Sequence, residues 1–369
     1  MVEDIEINNF RCFDRLKVSG CKKINLISGK NNVGKTALLE AIFLNSTPTK
    51  DTIVSIGDLR RQSVHVRREF PEQIWNNLLW KQNLDSPCII RTVFQDASFK
   101  TIEMFVRKEQ DVLSEINSNI SAELVNYYEE WLEKEKIKDG AEQYLGVMII
   151  NVNNNVLVKL IAFSRNHEVD LDKTSNKSVY LQNTSFISST LRASSINLTI
   201  EFDRARLNEK DDEVLKAFQI IDSSIIAVES FSIPEPTIYL KRKGEKRLPL
   251  SLFGDAMNRI AEIILKIINN QDSILLIDEI ENGIHHSSQI AFWDFLYKLA
   301  DQLNVQIFAT THSLEMTEAF IKAGLDRADS AAHFELTRSE KTNKIVAINR
   351  DLETLEYGIS HHKEVRGGA

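Results

Sequence analysis

The apolar run Ile24-Asn25-Leu26-Ile27-Ser28 leads into Gly29-Lys30-Asn31-Asn32-Val33-Gly34-Lys35-Thr36, and few folds accommodate such a stretch. A segment that reads as a buried strand enters a glycine loop, and the loop opens into a helix at Thr36. Gly29 to Thr36 matches the pattern G-x-x-x-x-G-K-[ST] at every position. Consecutive backbone N–H groups of such a loop, here from Gly29 through Asn31, Asn32, Val33 and Gly34 to Lys35, Thr36 and Ala37, form a concavity for anionic oxygens. The positive end of the following helix adds to it. Gly29 and Gly34 need no room for a Cβ. Lys35 would reach the β- and γ-phosphates of a nucleotide, and the Thr36 hydroxyl would complete a Mg²⁺ shell. A Gly/Asn-rich surface turn is the plainer alternative. The strand before the loop and the amphipathic helix after it (Ala37, Leu38, Ala41, Ile42) weigh against that alternative.

A second strand carries the complementary acids. Ser273 to Ile277 runs apolar and ends in Asp278-Glu279, the Walker B form. Strands buried on both faces read as uninterrupted apolar runs, and ligands of α/β sheets sit at their C-terminal ends. Asp278 can hold Mg²⁺ through water, and Glu279 can orient or deprotonate an attacking water. The competing role for the two acids is to cap the next helix. Thr36 and Asp278 lie so far apart in the chain that a compact GTPase-like arrangement is excluded, and a nucleotide fold split by a large insertion fits. With 369 residues the chain suffices for one large or two ordinary domains, and 43% hydrophobic content suffices for a sizeable core. A net charge of −8 argues against a wholesale nucleic-acid coat, so any DNA contact has to be local. The acidic start Met1-Val2-Glu3-Asp4 carries no secretory pattern, and no apolar run approaches the ~20 residues of a membrane span. Cys12, Cys21 and Cys88 are in no metal-ligand spacing, which suits a reducing cytoplasm.

Between these motifs the periodicity predicts strands over 88–95 and 99–107 around a turn at Asp96-Ala97-Ser98, then over 144–151, 156–163 and 179–187. Loop with short helices is expected from Ser46 to Asp85. A helix is expected over 121–138, with Leu124, Tyr128, Trp131 and Leu132 on one stripe, and further helices between Ser195 and Asp222. Strands follow at 225–230, 237–242, 305–309, 332–337 and 345–349, with a frayed tail after Arg366. Two basic groups stand out, Arg60, Arg61, Arg67 and Arg68, and Lys241, Arg242, Lys243, Lys246 and Arg247 around Gly244. Each reads either as a phosphate-contacting patch or as a solvated face with intrachain pairs. His285-His286 suggests a metal, but adjacent helix positions face different sides, and a role at a helix start is preferred.

Ile7-Asn8-Asn9-Phe10-Arg11-Cys12-Phe13, followed closely by the phosphate loop, resembles the I-x-N-F-R-x-F opening of the RecF, SMC and OLD-like ABC ATPases. Leu250-Ser251-Leu252-Phe253-Gly254-Asp255 resembles their L-S-x-x-G-D-G signature, although Ala256 replaces the final glycine. Glu281-Asn282-Gly283-Ile284-His285-His286 is similar to their D-loop region. The resemblance covers residues 1–45 and 225 to the end. It implies an α/β P-loop NTPase of ABC/RecF-like head type with an antiparallel β-subdomain and a helical insertion. Residues 1–45 and 225–369 would form the head, and 46–224 would complete it and offer a partner surface. The resemblance also implies that Arg11 lies near the nucleotide, that His312 contacts the γ-phosphate, and that Ser251, Gly254 and Asp255 cap ATP held by another subunit. Of the Q-loop glutamine, Gln73 and Gln82 are nominal candidates.

The implied protein is a cytoplasmic, ATP- and Mg²⁺-dependent ATPase forming a homodimer or higher homo-oligomer. OLD-like relatives carry a Toprim nuclease domain or work with a separate effector in defence against phage. No Toprim-sized segment follows residue 350, so a separate effector, such as a Toprim-type nuclease, is expected. A RecF-like repair clamp in direct contact with DNA is the alternative, and a non-hydrolysing nucleotide-gated scaffold is another. A transporter subunit conflicts with the Phe10-Arg11 opening and the missing transporter signature.

Overall fold

The computed structural model describes residues 1–61, 70, 72–108, 144–163, 168–171 and 181–360. The helix expected over 121–138, Arg67, Arg68 and the tail after Arg366 lie outside them. The chain begins with the hairpin β1 (Val2–Phe10) and β2 (Phe13–Ser19), then β3 (Ile24–Gly29), which delivers it into the glycine loop. Helix α1 (Lys35–Ser46) follows, with α2 (Lys50–Leu59) and the short α3 (Glu72–Asn76) beyond it. Strands β4 (Cys88–Phe94), β5 (Phe99–Lys108), β6 (Tyr144–Val152), β7 (Asn155–Phe163) and β8 (Glu168–Leu171) join the first hairpin. The result is a wholly antiparallel sheet in the order β2-β1-β4-β5-β6-β7-β8.

The second sheet is built differently. Strand β9 (Thr184–Ile187) is followed by α4 (Ser195–Leu207), α5 (Asp211–Ile221) and the small antiparallel unit β10 (Ile225–Phe231), β11 (Thr237–Arg242) and β12 (Leu248–Pro249). Then come α6 (Asp255–Asn269), β13 (Ile274–Ile277), α7 (Gln289–Gln302), β14 (Gln306–Thr310) and α8 (Leu314–Gly324). The hairpin β15 (Ala331–Arg338) and β16 (Ile345–Arg350) and helix α9 (Leu352–Ser360) end the described chain. The strand order is β16-β15-β3-β14-β13-β9, parallel from β15 to β9. All four residues of β13 and all five of β14 are buried, as the apolar runs require when helices cover both faces.

Side-chain alternation along these strands divides the interior in two. Leu275, Ile277, Ile307 and Ala309 face the helical layer of α4 to α8. Ile274, Leu276 and Phe308 face α1 and the antiparallel sheet. Helix α1 is therefore packed between two sheets, and Leu38, Leu39, Ala41, Ile42 and Leu44 are all but fully buried. The sequence suggested an amphipathic helix here, but a helix enclosed on opposite sides has no solvent face to keep polar. Its interior polar groups are paired instead. Asn45 Nδ2 donates to the Ile90 carbonyl at 2.8 Å and Asn45 Oδ1 accepts from Thr92 at 3.0 Å. Gln306 stitches the sheets together, its amide accepting from Val2 N at 2.8 Å and donating to Val2 O at 2.7 Å. Among the described residues no helix is long and apolar enough to cross a membrane.

One buried group stands apart. His333 on β15 is fully buried, and neither ring nitrogen has a hydrogen-bond partner. Burial, with Arg350 adding to it, pulls its pKa down to about 4. The unfolded chain takes up this proton near the ordinary value of about 6.5, so stability falls as pH falls from there toward 4. By pH 5 the loss should reach about 2 kcal/mol. Urea unfolding at pH 7 and pH 5 tests this, with His333→Leu expected to flatten the pH dependence by that amount. An equal dependence in both proteins would contradict it.

Candidate functional site

The C-terminal ends of β3, β13, β14 and β9 converge on one edge of the parallel sheet, and everything that follows is carried by those four ends. After β3 the loop turns through Gly29 at φ 144°, Asn32 at 64° and Gly34 at 95°. A Cβ on Gly29 would lie 2.3 Å from the Leu336 carbonyl oxygen, and one on Gly34 would lie 2.5 Å from Cys12 Sγ. Both positions exclude a side chain on contact as well as on backbone angle. Gly34 caps α1 without a side-chain hydrogen bond, so the helix's first N–H groups face the cavity side uncapped. Lys35 Nζ donates to the carbonyls of Gly29 at 2.8 Å and Lys30 at 3.0 Å. Burial lowers its pKa, while Glu281, Asp278 and Glu279 act to raise it.

Asp278 follows β13 and is 4% exposed. Its Oδ1 accepts from Thr36 Oγ1 at 2.9 Å and Thr310 Oγ1 at 2.7 Å, and its Oδ2 accepts from Ser189 Oγ at 2.8 Å. Three hydroxyls, from the start of α1, the end of β14 and the loop after β9, thus compensate one buried carboxylate. Glu279 sits at φ 50°, a region side-chain-bearing residues seldom occupy, held there as its N–H donates to Thr310 Oγ1 at 2.8 Å. Its Oε2 accepts from Asn282 Nδ2 at 2.9 Å. At the end of β14, His312 meets Glu281 Oε1 through both its backbone N–H and Nδ1, each at 2.8 Å. Arg11 and Arg60 occupy opposite oxygens of the fully buried Glu40 on α1, at 2.9 and 2.6 Å.

Part of this set lines one cavity of about 840 Å³, a size suited to a nucleotide. Its wall includes Arg11, Asn31, Asn32, Gly34, Lys35, Thr36 and Ala37, together with Asp278, Glu279 and His312. The oxygen-only set of one carboxylate and one hydroxyl at Asp278 and Thr36 fits Mg²⁺, which binds through few protein ligands plus phosphates and water. Among the described residues no cluster of three or more His, Cys, Asp or Glu could form a dedicated metal cage. His285 and His286 lie ring to ring at 4.1 Å, with His285 Nδ1 turned to Ser287.

Other expected residues stand elsewhere. Ser251 lies in the turn before α6, Gly254 caps that helix and Asp255 begins it; Ser251 and Gly254 do not line the cavity and are exposed, and Leu252 between them is 69% exposed. Gln73 and Gln82 do not line it either. Of the basic groups, Arg242 pairs with Asp222 at 2.7 Å and Arg247 with Glu229, the intrachain pairs of a solvated face, while Arg60 pairs with Glu40 and also lines the cavity.

Sequence reasoning did not single out Ser189, Glu40 or Arg259. Arg259 is 1% exposed, and its guanidinium donates to the carbonyls of Asp278 at 2.7 Å, Ser188, and Ile187 at 3.5 Å. The signal was available: Arg259 heads the row Ile263 and Ile267 on a helix otherwise apolar on that side.

A family model described as an AAA ATPase domain matches residues 1–317. A Helicobacter pylori protein described as an ATP/GTP phosphatase is 24% identical over 345 residues, covering 86% of this chain and 87% of that protein. A DNA replication and repair protein RecF of Idiomarina loihiensis is 46% identical over 43 residues, 12% of each chain. Among solved structures, an SMC head bound to the C-terminal winged-helix domain of ScpA matches with a TM-score of 0.53 at 10% identity, over 96% of this chain and 99% of that one. The fold is that of an ABC/RecF-like P-loop ATPase head.

Replacing Arg259 by Met should leave carbonyls of two strand ends unpaired and cost about 3 kcal/mol or more in urea unfolding. Arg259→Lys should recover only part of this, because one ammonium cannot span carbonyls on both strand ends. Full recovery with Lys would show that charge alone matters there.

Proposed function

The chain belongs to the AAA ATPase domain family, and from that premise we propose that it hydrolyses ATP to ADP and phosphate as an OLD-like ABC-type ATPase, closing as a homodimer or higher homo-oligomer that governs a separate effector. The observation that carries this reading is the direct hydrogen bond from Thr36 to Asp278 beside Lys35, which joins the phosphate loop to the Walker B strand.

The backbone of Gly29 to Ala37 cradles the phosphates, and Lys35 exchanges its loop carbonyls for phosphate oxygens. Thr36 and Asp278 would hold Mg²⁺, which when bound would neutralise charge on the phosphates. Glu279, oriented by Asn282, takes the proton of the attacking water, and His312, oriented by Glu281, donates to the γ-phosphate. Arg11 stands at the cavity wall as a further phosphate contact. Ser251, Gly254 and Asp255 cap the nucleotide of a second subunit; the exposure of Ser251 and Gly254 just before α6, outside the cavity of their own subunit, supports that division. Residues 1–45 and 225–369 form the head and 46–224 complete it, a reading supported by β9 joining the parallel sheet.

The resemblance of the opening and signature segments to OLD-like ATPases supports a Toprim-type nuclease or another separate effector, and a part in defence against phage. A RecF-like clamp acting directly on DNA is the second reading, favoured by the short RecF match. It predicts salt-sensitive duplex binding, to which Arg242 and Arg247, engaged with Asp222 and Glu229, are not free to contribute.

Native mass by light scattering with ATP and Mg²⁺ tests the composite site. Glu279→Gln should lock an ATP-dependent assembly and slow turnover about a hundredfold or more, while Lys35→Ala should neither assemble nor turn over. Mass indifferent to nucleotide in all three proteins would remove the trans role of Ser251 and Gly254. Unchanged turnover in Glu279→Gln would favour the non-hydrolysing scaffold.

A further inference from the structure

A second cavity of about 480 Å³ lies between α2, the loop after β9, α4 and α6, and shares no lining residue with the nucleotide cavity. Half of its lining residues are apolar, and the others include Asp58, Arg192, Glu201, Glu262 and Lys266. Phe43 and Phe186 stand 5.7 Å apart between ring centroids, with Leu198 and Leu265 beside them. Leu191 and Ile200, also in the lining, are 43% and 51% exposed, so apolar surface continues outward from the cavity.

The Glu262 carboxyl sits in this setting at 13% exposure. Its nearest recorded cation is Arg259 Nη1 at 3.7 Å, beyond hydrogen-bond length, and that guanidinium is committed to the carbonyls of Ser188 and Asp278. Burial raises the Glu262 pKa, with Arg259, Lys266 and Arg192 opposing. Lys266 is engaged with Glu201 at 3.1 Å, and Glu201 also accepts from Asn269 at 2.7 Å. Glu262 is thus a nearly buried carboxylate whose ion pair with Arg259 exceeds hydrogen-bond length, and the group that completes it is a cationic donor whose apolar stem can lie along the aromatic part of the wall. Leu191 and Ile200 at the mouth offer aliphatic surface to apolar residues on either side of that donor, as a peptide segment of a protein partner would carry.

We propose that this cavity docks a partner protein through an arginine flanked by aliphatic residues, its guanidinium on Glu262 and its stem along Phe43 and Phe186. The surroundings give such docking a route to the nucleotide. Glu262 lies one helical turn from Arg259, which holds the Asp278 carbonyl. Ser188 in the wall precedes Ser189, which holds the Asp278 carboxylate. Thr190 Oγ1 donates to the Leu59 carbonyl at 3.4 Å, next to Arg60 on Glu40. The proposal deepens the effector reading above and rests on it for the partner's role. Docking itself is read without nucleotide or turnover, so the two can fail separately.

The test titrates the full chain, labelled at Leu and Ile methyl groups, with the peptide acetyl-Leu-Arg-Leu-amide and its citrulline counterpart, which keeps the shape and loses the charge. The methyl resonances of Leu191 and Ile200 should shift saturably with the arginine peptide, and the citrulline peptide should bind about tenfold more weakly. Glu262→Gln should erase that difference. Leu191→Asp, an exposed change that leaves the melting temperature in place, should weaken both peptides and guards against misfolding of the first variant. Absence of shifts, equal binding of the two peptides, or an arginine preference that survives Glu262→Gln overturns the proposal. Free arginine amide binding as tightly as the peptide overturns it in favour of a small-molecule site.

Discussion

Burying the Asp278 carboxylate costs several kcal/mol unless donors surround it, and the molecule supplies those donors from separate parts of the chain. Thr36 arrives on the glycine loop, Thr310 on β14 and Ser189 on the loop after β9. Arg259 adds a fourth segment by holding the carbonyl of the same aspartate. Each partner alone is an ordinary hydrogen bond. Together they fix the relative heights of three strand ends and one helix start, because a shift of any would leave a charge or a carbonyl buried and unpaired. The geometry offered to a nucleotide is therefore a by-product of keeping one carboxylate satisfied.

Glu40 repeats this logic on a smaller scale. It lies one turn beyond Thr36 on α1, has no solvent exposure, and each of its oxygens takes one guanidinium. Arg11 comes from the turn after β1 and Arg60 from the end of α2, so a buried acid on the central helix anchors the edges of the cavity on both sides. A helix enclosed by two sheets can tolerate such a residue only because its neighbours neutralise it.

The motifs that touch phosphate were legible because they are local: Gly29 to Thr36 on one turn, Asp278-Glu279 at the end of one strand. Buried strands were legible for the same reason, and β5, β10, β11 and β14 fall within a residue or two of where the periodicity put them. What could not be read were groups whose role is set by what another segment brings. Ser189 is one serine among several in a polar stretch until β9 is placed beside β13, and Glu40 looks like a surface acid until a second sheet covers α1. Arg259 was the partial case, since an arginine heading an apolar row can be seen without knowing which carbonyls it serves. The enclosure of α1 was misread as amphipathy because the sequence shows which residues are apolar and not how many layers will cover them.

The two sheets differ in how far along the chain their partners lie, and this bears on how the protein comes into being. The antiparallel sheet pairs neighbours: β4 with β5, β6 with β7, β7 with β8. The parallel sheet places β3 between β14 and β15, strands contributed some three hundred positions later. On a ribosome the meander can take shape early, while β3 and the glycine loop must wait, their apolar surface without a sheet, until β14 and β15 have emerged. The phosphate-binding loop is made well before the strands that shape it, so nucleotide capture can begin only once β14 and β15 have taken their places beside β3.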